Sequence, residues 1–348
     1  MRSRCVPLLF AMSVFAATMP AQDMAPRIKA EIQRVKDSLK PVKVPQLEPM
    51  LKNARELGEG AEQALSDGRV YLSLDKLLQA SDLAAGLNLL SEKMDAVNTS
   101  MPVFEKEWSA TSRTVAAVEA ELAKAGAQNA PAAIRAMGET ARAKAGPLLE
   151  GARGFATSTT PRDGLFYLGE AEAQVRFAQF CSTLRASAPK RGGRSMLPEL
   201  DALQRKTNAA FKPPLSIDQH SRFIALNSTL KLAEELDAAQ LYAGSMYQYL
   251  EAVRHYGMLT AAAPDEAAKA GLAERVSEIR RKFEASRRDD SIAVRFLERA
   301  PIDDWKSAGV ILDQVLPAYQ AALRPAATSR GGKPAKTARL TVVRWPYT

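Results

Sequence analysis

The chain of 348 residues holds two histidines and two cysteines, and aromatic residues make up only 6% of it. This scarcity excludes much chemistry at once. Zinc centres need several Cys or His ligands at short spacings, and neither an HExxH motif nor a Cys/His cluster is present. A nucleophilic triad would have to use His220 or His255, and no nucleophile-elbow pattern accompanies either. Gly58 and Gly60 lack the third glycine of a dinucleotide fingerprint, and Gly331-Gly332-Lys333 lacks the upstream glycine and the Ser/Thr of a phosphate loop. No cofactor and no metal are expected.

Long apolar runs are also missing, apart from one near the start. Arg2 and Arg4 precede an apolar stretch from Val6 to Ala17, with small residues at Ala16, Ala17 and Ala21. That is the pattern of a cleavable export signal, too short for the roughly 20 residues of a membrane span. Residues 1–21 are therefore expected to be removed, leaving a soluble chain in the periplasm or outside the cell. No later segment is expected to cross a membrane. Cys5 lies in this leader, so Cys181 stands alone in the mature chain and no internal disulfide can form. Cys181 follows Phe177 and Phe180 in an apolar helix and reads as a buried, inert thiol, an intermolecular disulfide being the sharper alternative.

Acidic residues are absent from the last stretch, 324–348, which contains Arg324, Arg330, Lys333, Lys336, Arg339 and Arg344. The formal charge of the whole chain is +9; with the leader's two arginines and these six cations set aside, +1 remains. The body is nearly neutral, which argues against a broad nucleic-acid-binding face, and no nucleic-acid partner is expected. The tail's Ala, Gly, Pro and Lys content reads as disordered as far as Ala338. Leu340 to Tyr347 then has extended-chain composition. Arg330, Lys333, Lys336, Arg339, Arg344 and Trp345 are the candidates for docking an anionic surface polymer or an envelope protein; a tail solvated without a partner is the plainer reading.

What is present is helical. Ala, Leu, Glu, Lys, Arg and Gln dominate, and apolar residues recur at steps of three and four. Met101, Phe104, Trp108, Thr111, Val115, Val118 and Leu122 form one such stripe, and Tyr242, Met246, Tyr249, Val253 and Tyr256 form another. Pro41, Pro45 and Pro49, then Ser66-Asp67-Gly68, Thr160 to Gly164 and Pro213-Pro214, mark breaks. The expected fold is all-α, a multi-helix bundle or short solenoid with a disordered basic tail. Its helical repeats would fill 22–187 and 195–323 as one continuous domain, around a loop-like stretch from Ala188 to Arg194.

A weak internal repeat supports the solenoid reading. Gly68-Arg69-Val70-Tyr71-Leu72-Ser73 resembles Gly164-Leu165-Phe166-Tyr167-Leu168-Gly169, and Gln240-Leu241-Tyr242-Ala243-Gly244 is a looser third copy. Upstream, Met50, Ala54 and Arg55 match Met137, Ala141 and Arg142. About three related three-helix units would then pack side by side, each too small to bury its apolar face alone. Chance similarity among alanine-rich helices is the competing account. The spacing and consensus of tetratricopeptide, ankyrin and HEAT repeats do not fit.

If the copies are equivalent, Tyr71, Tyr167 and Tyr242, with Tyr249, could line one ligand-binding groove; otherwise they are large core residues. Glu251 and His255 lie four apart on one helical face and could share a metal or a proton, although a surface pair is the plainer reading. Asp218 and His220 suit a helix start. The reading that remains is an exported, non-catalytic scaffold or binding protein of the cell envelope or exterior. The alternatives are a carrier with a tyrosine-lined groove and, with less support, a carboxylate-based hydrolase, since two carboxylates leave no local signature.

Overall fold

The computed structural model describes residues 24–324, apart from 43, 125–129, 186–192, 211–216, 263–265 and 287. The expected leader, the joint around Pro189 and all six tail candidates fall outside the described residues. Within them the chain is helical and no strand occurs: α1 (Ala25–Ser38), α2 (Glu48–Ser66), α3 (Val70–Val97), α4 (Met101–Lys124), α5 (Ala132–Ser158), α6 (Gly164–Thr183), α7 (Leu197–Ala210), α8 (Ile217–Ala238), α9 (Tyr242–Thr260), α10 (Glu266–Glu284), α11 (Ser291–Asp303), α12 (Trp305–Val310) and α13 (Leu316–Ala322). A π-helical turn, Ile311–Val315, joins the last two. No helix among the described residues is long and apolar enough to cross a membrane.

The breaks fall where Pro and Gly put them. Pro49 occupies the first turn of α2, where no backbone N–H is needed. Gly68 ends that helix with φ +69°. Its N–H reaches the Leu65 carbonyl and that of Arg69 the Ala64 carbonyl, closing the last turn. Gln240 repeats this device after α8, with φ 61° and the bonds Gln240 N to Asp237 O and Leu241 N to Leu236 O.

These two turns and the one at Thr160 make three antiparallel pairs: α2 with α3, α5 with α6, and α8 with α9. The pairs lie in a row, because α3 also packs on α6 and α5 on α9. The second helix of each pair is apolar on several sides, and α3, α6, α5 and α9 form the middle of the row. The α4 stripe meets it as periodicity predicts, with Phe104, Thr111 and Val115 buried and Trp108 packed against the same core. Cys181 is buried and free, and burial pushes its thiol up. Helix α11 crosses back from the far end of the chain and packs on α3 and α5.

The row is tied together by buried charge. The guanidinium of Arg295 on α11 donates to both carboxylate oxygens of Asp75 on α3, at 3.2 and 2.5 Å. It also lies 3.8 Å from the centre of the Tyr247 ring on α9, so three helices meet at one cation. Next to it, Glu251 accepts from the Tyr247 hydroxyl at 2.5 Å, from Arg254 at 2.8 Å and from Arg299 at 2.5 Å. Burial acts to raise the Glu251 carboxyl, but the two guanidiniums and the hydroxyl outweigh it and hold the group well below the usual range.

Three helices are capped from a distance. Their N-cap residues, Arg69, Pro131 and Leu241, make no side-chain cap. Glu298 of α11 instead accepts from Leu72 N of α3 at 2.8 Å. Asp289 accepts from Ala132 N of α5 at 2.7 Å, with the Ser291 hydroxyl taking Ala133 N at 2.9 Å. Glu139 of α5 accepts from Gly244 N of α9 at 2.6 Å. Each carboxylate satisfies N–H groups that would otherwise be orphaned and sits at the positive end of a helix dipole.

Removing one partner of the Arg295–Asp75 pair strands a buried charge. Arg295→Ala should therefore lower unfolding free energy by about 3–5 kcal/mol. Lys52→Ala, which breaks the exposed 3.7 Å pair with Glu56, should change it by less than about 1 kcal/mol. Urea unfolding of the two variants measures both.

Candidate functional site

Where α3 crosses α6, two glycines meet. A Cβ on Gly169 would stand 2.4 Å from the Ala85 carbonyl oxygen and 2.7 Å from the Gly86 Cα, so only a bare backbone lets the helices touch there. One turn along on each helix, this approach brings Asp82 against Gln174. The Gln174 amide Nε2 donates to Asp82 Oδ2 at 2.7 Å, joining residues 92 positions apart. Gln174 is 4% exposed.

The pair lies in a cleft of about 490 Å³. Helices α5 and α8 supply its other walls. Lys144, Pro147 and Leu148 come from α5, Glu170 from α6, and Lys231 and Leu232 from α8. Two buried acceptors have no protein hydrogen-bond partner: Asp82 Oδ1 and Gln174 Oε1. Pro147 lies inside α5 and has no N–H, so the Ala143 carbonyl one turn earlier, also in the cleft wall, receives no bond from residue 147. The polar inventory of the floor is thus acceptor-rich.

Burial pushes the Asp82 carboxyl up to about 8, and the neighbouring Glu170 adds to the rise; Lys144 and the Gln174 amide act against it without overcoming it. Burial raises Glu170 as well. Near neutrality Asp82 is therefore largely protonated. Two things are chemically open to such a pair: it can receive a donor-bearing cation and give up a proton, or it can pass a proton to a bound molecule. No group of three or more His, Cys, Asp or Glu that could hold a metal occurs among the described residues.

The tyrosines singled out from the sequence have different surroundings. Tyr71 shares a hydrogen bond with the Ser291 hydroxyl, and burial with nearby Glu298 pushes its own hydroxyl up. Tyr167 stacks on Phe155 at 4.6 Å between ring centroids. The Tyr242 Cβ lies 2.4 Å from where a Cβ on Gly193 would stand. Burial, with Glu199 adding, raises the Tyr249 hydroxyl. Tyr71 and Tyr249 both pack against the core cluster that holds Met246 and Phe296, and Tyr167 against the one that holds Phe104. The turns set Gly68 opposite Gln240, so Tyr242 corresponds to Val70 rather than Tyr71. A one-residue offset turns a helical side chain by about 100°. Glu251 is buried, 7% exposed, and bound by arginines, so it is not one half of a surface pair with His255.

Asp82, Glu170, Gln174 and Lys144 were not singled out by sequence reasoning. The available signals were an acid within the apolar run of α3, glycines within two apolar helices and a proline inside α5.

A carboxyl raised in the folded state contributes stability below its ordinary value near 4, and loses it as pH rises through about 8. Asp82→Asn should thus match the parent at about pH 4 and below. It should exceed the parent at pH 8.5 by about 1–3 kcal/mol after solvent screening, read from urea midpoints at both pH values. No protein-family model, no curated protein and no solved structure matches the chain.

Proposed function

We propose that the protein is an exported, non-catalytic helical scaffold of the cell envelope or exterior that binds a small ligand in the cleft between α3, α5, α6 and α8. One observation carries the reading: Gln174 and Asp82 both line this cleft, and each keeps a buried oxygen without a protein hydrogen-bond partner. Unmet buried acceptors cost about 1–3 kcal/mol each, and a ligand with donors would recover that energy. The volume falls within the range typical of small-molecule sites. The carboxylates of Glu139, Asp289, Glu298 and Glu251 are occupied in holding helices together, whereas Asp82 Oδ1 and Gln174 Oε1 are not. Export rests on the leader pattern at residues 1–21.

An acid–base use of the same pair is the second reading, favoured by the raised Asp82 carboxyl next to Glu170. It requires turnover of the bound molecule, whereas the binding reading requires its unchanged release.

Binding is checked with a thermal-shift panel of amines, amides, sugars and carboxylates on the full chain. A ligand at a hundredfold excess over Kd should add about 2.7 kcal/mol and several degrees to Tm. Ser228→Trp places a large ring at an exposed position on the cleft wall and should remove that shift. A shift that survives the ring would place the ligand elsewhere.

The six cations of residues 324–348 support a second contact, with an anionic envelope polymer or protein surface. Deleting 324–348 should abolish salt-sensitive retention on such a surface; unchanged retention would remove the tail from the function.

A further inference from the structure

We propose that the ligand of this cleft is a small organic cation with several N–H donors on an alkyl body, best matched by an alkylguanidinium, its head held by Asp82, Gln174 and Glu170. The inference rests on the binding reading above and adds the ligand's chemistry to it.

The floor dictates the head group. Asp82 Oδ1 and Gln174 Oε1 are unpartnered, and Glu170 adds a carboxylate to the same lining. One N–H of the Gln174 amide is committed to Asp82 Oδ2 at 2.7 Å, which sets the amide so that Oε1 stands as an acceptor. A complement that meets Oδ1, Oε1 and Glu170 together brings two or more donors on one rigid head. A guanidinium carries five N–H groups in a planar fork, and each bond it makes to a carboxylate is charge-assisted. A bare metal ion fits less well. Calcium asks for six to eight oxygens, and a cleft of about 490 Å³ walled by Leu148 and Leu232 is far larger than an ion. Pro147, Leu148 and Leu232 instead suit an alkyl chain leading out from the head.

Entry of a cation changes the protonation of the floor. Asp82 gives its proton to solvent, its carboxylate takes the guanidinium, and one charge is exchanged for another. The groups facing this event are Glu170 on α6, Lys144 on α5, and Lys231 and Glu235 on α8. The last two pair with each other at 3.8 Å, which leaves Lys144 as the cation opposing the ligand and Glu170 as the anion assisting it. Affinity should rise about tenfold per pH unit below about pH 8 and level off above it.

Isothermal titration of the full chain with agmatine, butylguanidine, tetramethylammonium, valeramide and calcium, at pH 6, 7, 8 and 9, tests this. Either guanidine should bind with the stated pH slope, releasing about one proton at pH 6 and almost none at pH 9. Asp82→Asn and Gln174→Leu should each weaken it tenfold or more. Glu170→Gln, a milder change in a half-buried side chain, should weaken it severalfold without altering the fold. Tetramethylammonium, a cation without N–H donors, should bind at least tenfold more weakly. Equal binding of valeramide with no pH slope would overturn the cation assignment while leaving the cleft a binding site. Tighter binding of calcium would also overturn it. Absence of binding by both guanidines, with Ser228→Trp still blocking a neutral ligand from the thermal-shift panel, would overturn the cation assignment alone. If no ligand in either experiment responds to Ser228→Trp, both readings fall.

Discussion

Each α-helix begins with four backbone N–H groups that no residue of the same helix can satisfy, and this requirement organises the bundle. The inner helices α3, α5 and α9 start at residues that make no side-chain cap of their own. Glu298, Asp289 and Glu139 reach their first turns from 226, 157 and 105 residues away. These contacts bind local helix stability to tertiary packing. A burial-raised carboxyl at about 8 on Glu298 shows what the arrangement costs: desolvation outweighs two backbone donors and the approach of Arg280. The packing of α11 on α3 and α5 holds it in place. The Asp75–Arg295–Tyr247 junction serves the same end, fastening the far end of the chain to its first hairpin.

The Asp82 cleft differs from these junctions in its donor count. Glu251 meets three donors and is driven low; Asp82 meets one amide and is driven high. Burial opposes ionisation in both cases. The opposite outcomes follow from whether guanidiniums stand close enough to compensate, and at Asp82 the opposing cation is the exposed Lys144.

Much of the fold was legible residue by residue. The 3.6-residue stripe at Phe104, Thr111 and Val115 specified the buried face of α4, and Pro49 and Gly68 specified the ends of α2. The tyrosine correspondence was less secure, because short matches in alanine-rich helices tolerate a one-residue slip and the matching turns set Tyr242 opposite Val70. The candidate site was largely invisible. Its members come from α3, α5, α6 and α8, with Asp82 and Gln174 brought together by the antiparallel crossing at Gly86 and Gly169, and nothing local to Asp82 says that Gln174 will face it.

By itself the sequence determined the secondary structure, the near-neutral body with its basic tail, and the lack of Cys/His chemistry, since these depend on local periodicity, propensity and composition. Only the tertiary structure decided which carboxylates become helix caps, which are compensated by arginine and which one is left raised and unmet. Those outcomes depend on burial and on partners tens to hundreds of residues away, and the distances that set them exist only once the helices have packed.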